Sequence, residues 1–172
     1  YVVSQSVYVP TNLSGQYYLI VKTDASSSVF EYTYEDNNTM VMEGMVNVWT
    51  PDLAVTSIMI ADTSFSPGQT VKVAYSVANQ GSGAVRNSYW RDAVYLTPTA
   101  SFNTTTQVAS KRHSSTLMPD STYTDTLVVT MPSSITSARY IWVMTDCQSD
   151  IFENNSETNN TVCRDPSLAV RM

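Results

Sequence analysis

One stretch of this chain occurs twice, and that repetition constrains the fold more than any other feature. Residues 18–39 read YLIVKTDASSSVFEYTYEDNNT and residues 140–161 read YIWVMTDCQSDIFENNSETNNT, aligned without a gap at an offset of 122. Tyr18/Tyr140, Val21/Val143, Thr23/Thr145, Asp24/Asp146, Ser27/Ser149, Phe30/Phe152, Glu31/Glu153, Glu35/Glu157, Asn37/Asn159, Asn38/Asn160 and Thr39/Thr161 coincide. Chance would supply roughly one or two identities over such a length, so the segment is an internal repeat. A second echo, PDLAV at 51–55 and PSLAV at 166–170, suggests the phase. The expected organisation is the C-terminal part of one repeat at 1–50, a complete repeat at 51–165, and the first strand of a third at 166–172. A chain cut in this phase is expected to sample a longer array. The two junctions differ: MVMEGMVNVWT follows Thr39 where only VCRD follows Thr161, and neither is the Gly/Ser-rich composition of a flexible tether.

Each repeat reads as β. In TVKVAYSVAN, Val71, Val73, Tyr75 and Val77 alternate with polar or small residues, the period of a strand with one buried face. YTDTLVVTM places Tyr123, Leu127, Val129 and Met131 on one face, and RYIWVMTD is apolar at nearly every position. Breakers separate these runs: SPGQ at 66–69, NQGSG at 79–83, MPD at 118–120 and MPSS at 131–134. Strands are predicted near 52–60, 70–79, 86–97, 106–113, 122–131, 138–146 and 151–164, the last interrupted. Seven short strands with turn signals between them predict an all-β, immunoglobulin-like antiparallel sandwich, with Trp90 packed between the sheets. A repeat of about 115 residues is long enough to hold its own core.

Charge narrows the partners. The net charge is −6 and the nine Lys and Arg are scattered, so no basic face exists for nucleic acid. No segment approaches the ~18–20 apolar residues of a membrane-spanning helix. Cys147 and Cys163 are replaced by Ala25 and Val41 in the first copy, so both cysteines are present in one repeat and absent from the other. Paired gain or loss is what a disulfide predicts. The 163 − 147 = 16 residue loop would be stabilised by roughly 3 kcal/mol, and the bond would point to an oxidising compartment. Zinc would need further ligands at metal spacing, which are missing.

Groups that could carry chemistry are few. The single histidine, His113, lies in SKRHSS on a predicted edge strand and reads as an exposed surface residue. No nucleophile elbow, phosphate loop, zinc-protease motif or dinucleotide fingerprint occurs, and no catalytic residue is assigned. The strongest local pattern is T-D-x-x-S-x-[VI]-F-E-x-x-x-E-x-N-N-T, shared by both copies. Its Asp and Asn are expected to cap turns by bonding nearby backbone amides. The other reading is a calcium site built from Asp146, Asp150, Glu153 and Glu157 with the Asn159 and Asn160 carbonyls, hard oxygen donors at no EF-hand spacing. Against it, Asp150 is Ser28 in the first copy. Candidate N-glycosylation sequons begin at Asn12, Asn37, Asn103, Asn154 and Asn159.

Together, PDLAV, the P-G-Q turn before alternating valines, V-A-N-Q-G-S-G, W-x-D-x-V-Y-L and Y-x-x-V-x-T-D…F-E…E-x-N-N-T resemble the CARDB domain, the cell-adhesion-related domain found in bacteria. The resemblance covers 51–165 and, through the repeat, 1–50. It implies an immunoglobulin-like sandwich, usually in tandem in large secreted or surface proteins, with no catalytic residues to transfer. Pro119-Asp120 stands where many relatives have Pro-Gly, and the cysteine pair is not part of the family pattern. The expected function is a non-catalytic extracellular structural or adhesive module, a piece of a tandem array that builds a surface fibre. Its expected partners are neighbouring repeats, other copies or a surface glycan, not nucleic acid or a membrane. The alternative is a calcium- or carbohydrate-binding accessory domain of a larger secreted protein. Apart from that calcium, no cofactor is expected.

Overall fold

Alternating side chains on successive strands dictate two facing sheets, and the computed structural model of the protein has them. It describes residues 2–86 and 88–171; Tyr1, Asn87 and Met172, which fall in the expected partial repeat, third strand and opening of the next repeat, lie outside the described residues. The chain divides into two units, residues 1–49 and 50–172. The first contains β1 (Gly15–Tyr17), β2 (Ile20–Lys22), β3 (Thr39–Val41) and β4 (Val46–Val48), paired as β1 with β4 and β2 with β3.

The second unit contains β5 (Leu53–Met59), β6 (Ser64–Phe65), β7 (Thr70–Asn79), β8 (Trp90–Thr97), β9 (Gln107–His113), β10 (Thr122–Thr130), β11 (Arg139–Met144) and β12 (Thr161–Val170). One sheet runs β10-β7-β5 and the other β6-β12-β11-β8-β9. Every pairing is antiparallel except β6 with β12, so this is an immunoglobulin-like β-sandwich. Among the described residues the only helical turns are three short 3-10 turns. Val71, Val73, Tyr75 and Val77 of β7 are fully buried, as their alternation predicts. They pack in one core with Leu53, Val129, Trp90, Val94, Ile141 and Val143 from both sheets. At ~25 cal/mol per Å² of apolar surface, burial of such side chains is the main stabilising term.

Residues 166–170 lie in β12, where Leu168 is fully buried and faces Arg139, and where Ala169↔Ser64 and Val170↔Phe65 pair in parallel. The buried Leu168 packs this segment into the core of the second unit. The two-residue β6, which receives it, was not legible as a strand.

The entry to the second unit is tight. Gly83 N donates to Thr50 O and Gln80 N to Asp52 O, bringing the NQGSG turn against the first residues of the unit. A Cβ on Gly81 would lie 2.5 Å from Thr50 O and 2.6 Å from Asp52 N, backbone atoms that cannot move aside. Gly81→Ala is therefore expected to destabilise the unit by about 1–3 kcal/mol. Denaturant unfolding checks this, and a loss below about 0.5 kcal/mol would refute it.

Candidate functional site

The repeated sequence builds one object twice. In the second unit β11 ends at Met144, Thr145 N donates to Asn160 O, and the chain turns through residues with left-handed φ at Asp146 (43°), Ser149 (51°) and Asn154 (58°). In the first unit the equivalent residues Asp24, Ser27 and Tyr32 have φ of 39°, 49° and 59°, and Thr23 N donates to Asn38 O. The pairing Ile20↔Val41 in β2–β3 matches Trp142↔Cys163 in β11–β12. Even the 3-10 turns correspond, Glu35–Asn37 and Glu157–Asn159. The Asp at the turn explains the geometry: Asp146 accepts from Asp150 N and Ile151 N at 2.9 and 3.0 Å, as Asp24 does from Ser28 N and Val29 N at 2.8 and 3.1 Å.

In the second unit this turn clamps the start of the domain. Glu153, fully inside, accepts from Leu53 N at 2.7 Å, and Asn159 Nδ2 donates to Asp52 Oδ1 at 2.7 Å. Asp52 N in turn donates to Asn79 Oδ1 at 3.0 Å. Burial raises the Glu153 carboxyl to about 8 against the opposing pull of Asn160 and the Leu53 amide. Burial also raises Asp146, to about 6, although two backbone amides favour its charged form.

Both oxygens of Asp146 are taken by amides and one oxygen of Glu153 by Leu53 N. Among the described residues no three His, Cys, Asp or Glu side chains converge as a metal set, Asp146, Asp150, Glu153 and Glu157 included. The sequon asparagines Asn12, Asn37, Asn103 and Asn154 are exposed, whereas Asn159 is half-buried with its amide donating to Asp52.

Cys147 and Cys163 are free, which corrects the expected disulfide. Cys163 sits across from Trp142, whose other neighbour is Tyr95; Cys147 N is bonded at Arg91, four residues away along β8. Burial raises both thiols. Alkylation of the unfolded chain without reductant is expected to label both cysteines, and Cys147→Ser with Cys163→Ser should cost less than about 1 kcal/mol. A mass two hydrogens lighter that resists alkylation would overturn this.

The less expected cluster lies between the sheets. Trp90, Asp92, Val94 and Leu96 alternate inward on β8, which puts an aspartate in the core. Asp92 is fully buried. Its Oδ2 accepts from Tyr123 OH at 2.6 Å and Tyr75 OH at 2.9 Å, and its Oδ1 from Thr145 Oγ1 at 2.8 Å. Trp90 Nε1 donates to Tyr123 OH at 3.0 Å. Burial first, then the Asp92 charge, pushes both tyrosine hydroxyls well above their ordinary range, so they remain donors. His113 is here too. Instead of facing solvent, its side chain is 11% exposed and stacks on Trp90, its partner across β8–β9, with Nε2 2.9 Å from Asp92 Oδ2 but poorly aligned for a hydrogen bond. Lys111 bonds Asp125 at 2.6 Å beside it. The tyrosine hydroxyls come from β7 and β10 in one sheet, and the carboxylate comes from β8 in the other, with the Thr145 hydroxyl just after β11 on the same side, so the cluster ties the sheets together. The sequence carried its signal, an ionisable residue at an inward position of W-R-D-A-V-Y-L, but not its partners, which are distant in the chain.

A family model, CARDB, matches residues 50–164. Among solved structures, the chain is similar to the CARDB domain of a Pyrococcus furiosus protein. Its crystal structure, in complex with di-metal ions, has a TM-score of 0.51 and 19% identity, covering 73% of this chain and 97% of that one. Its solution structure has a TM-score of 0.50 and 22% identity, covering 72% and 97%. No curated protein matches the sequence. At such identities the neighbours speak to the fold, while the match over most of the chain speaks to kinship: the protein belongs to the CARDB family.

Proposed function

We propose that the chain is a non-catalytic structural module of a surface or secreted protein, in which CARDB-type sandwiches follow one another along the polypeptide. The supporting observation is the duplicated hairpin, reproduced residue for residue in register, φ and turn hydrogen bonds. A module that repeats its folding elements and spends its buried carboxylates on amides and hydroxyls is built to hold shape. Family membership, with the surface association for which that family is named, supports the location.

Two measurements test this. Membrane-impermeant labelling of intact source cells should mark the protein, and scattering from chains of increasing repeat number should give a maximum dimension that grows with each repeat. Labelling only after lysis, or a dimension that stays constant, would refute the reading.

A further inference from the structure

The first unit presents to solvent what the second buries. By the offset of 122, Val21 corresponds to Val143, Leu19 to Ile141 and Val29 to Ile151. Val21 is 58% exposed and Val143 fully buried; Val29 is 60% exposed and Ile151 5%. The same offset continues upstream of the obvious repeat. Val7 matches Val129, Val9 matches Met131, Pro10 matches Pro132 and Leu13 matches Ile135. Residues 2–9 are thus the counterpart of β10, yet they form no strand, and Val7 is 68% exposed where Val129 is fully buried.

The missing pairings can be named. In the second unit β10 pairs with β7, and β11 pairs with β8 through Tyr140↔Thr97 to Met144↔Ala93. In the first unit β2 pairs only with β3 among the described residues, leaving its other edge free. The clamp carboxylate is also half used. Glu31 Oε2 accepts from Asn38 Nδ2 at 2.8 Å, but no strand amide among the described residues stands where Leu53 N stands for Glu153.

We infer that the first unit is the C-terminal half of a second sandwich, and that its exposed face is covered by a segment of the same polypeptide preceding residue 1, equivalent to residues 50–122. That segment supplies a first strand whose amide engages Glu31, an alternating apolar strand beside residues 2–9, and a β8-type strand beside residues 18–22. It also carries an aspartate at the position of Asp92, because Thr23, the counterpart of the Thr145 hydroxyl that meets Asp92, is retained. The inference uses the tandem reading but not the surface role, and the two fail separately.

The experiment compares amide exchange in the natural protein, including whatever precedes residue 1, with exchange in the 172-residue chain, each with and without Val21→Asp. Amides of residues 3–9 and 18–22 should exchange at least a hundredfold more slowly in the longer protein, and Val21→Asp should abolish that protection. The same substitution should leave the shorter chain unchanged. Equal exchange in both proteins would overturn the inference, as would a natural protein with nothing before residue 1. Concentration-dependent protection in the shorter chain would assign the face to a second copy instead and overturn it as well.

Discussion

Asp92→Ala is expected to destabilise the second unit by about 3–5 kcal/mol, enough to leave a domain of this size marginal. The carboxylate is fully buried and accepts three hydroxyl hydrogen bonds, from Tyr75, Tyr123 and Thr145. Removing it strands three buried donors drawn from both sheets, and each unsatisfied group costs about 1–3 kcal/mol before relaxation. Taking out one donor is milder. Tyr75→Phe leaves Asp92 with two hydroxyls and is expected to cost about 1–1.5 kcal/mol. Asp92→Asn should fall between the two, because its amide nitrogen cannot accept from a hydroxyl. Urea unfolding of the set orders these values. An Asp92→Ala loss below about 1 kcal/mol would show that the cluster fills space without tying the sheets.

The sequence made the architecture legible because strands announce themselves locally. The alternation of Val71, Val73, Tyr75 and Val77 needs only neighbouring residues to be read, and β7 runs over Thr70–Asn79 as that pattern predicts. The hairpin motif was legible through its two copies, since Asp24 and Asp146 cap the same turn. What failed was set by distance along the chain. His113 looked exposed because its own neighbours are polar, whereas Trp90 covers it from across β8–β9. Cys147 and Cys163 looked like partners because both belong to one repeat, yet their places on β8 and β12 sides of β11 keep them apart. The role of Glu153 was hidden for the same reason: its partner Leu53 lies a hundred residues earlier.

That carboxyl gives the second large effect, a stability that falls as pH rises. Burial raises Glu153 from 4.5 to about 8 in the folded chain, so between those values the folded state holds a proton that the unfolded state releases. Stability is then fully present below pH 4.5, declines through the interval, and levels off above about 8.5, losing on the order of 4 kcal/mol. Asp146, raised from 3.8 to about 6, contributes the same sign at lower pH, so measurements above pH 6.5 isolate Glu153. The structure accommodates the proton, because Glu153 Oε1 already accepts from Leu53 N while Oε2 and both polar atoms of Asn160 have no partner. A protonated Oε2 is a donor, and the neighbouring Asn160 side chain, whose amide favours the charged form, also carries an unpaired oxygen. Glu153→Gln keeps an acceptor for Leu53 N and supplies a permanent donor, so its unfolding free energy should be flat from pH 6.5 to 8.5 while that of the parent falls. Glu153→Ala strands the Leu53 amide and opens a cavity, and should cost about 2–4 kcal/mol at pH 6.5. Guanidine unfolding at four pH values decides the matter. A parent curve that rises over this window, or a glutamine variant that keeps the parent's slope, would place the proton elsewhere.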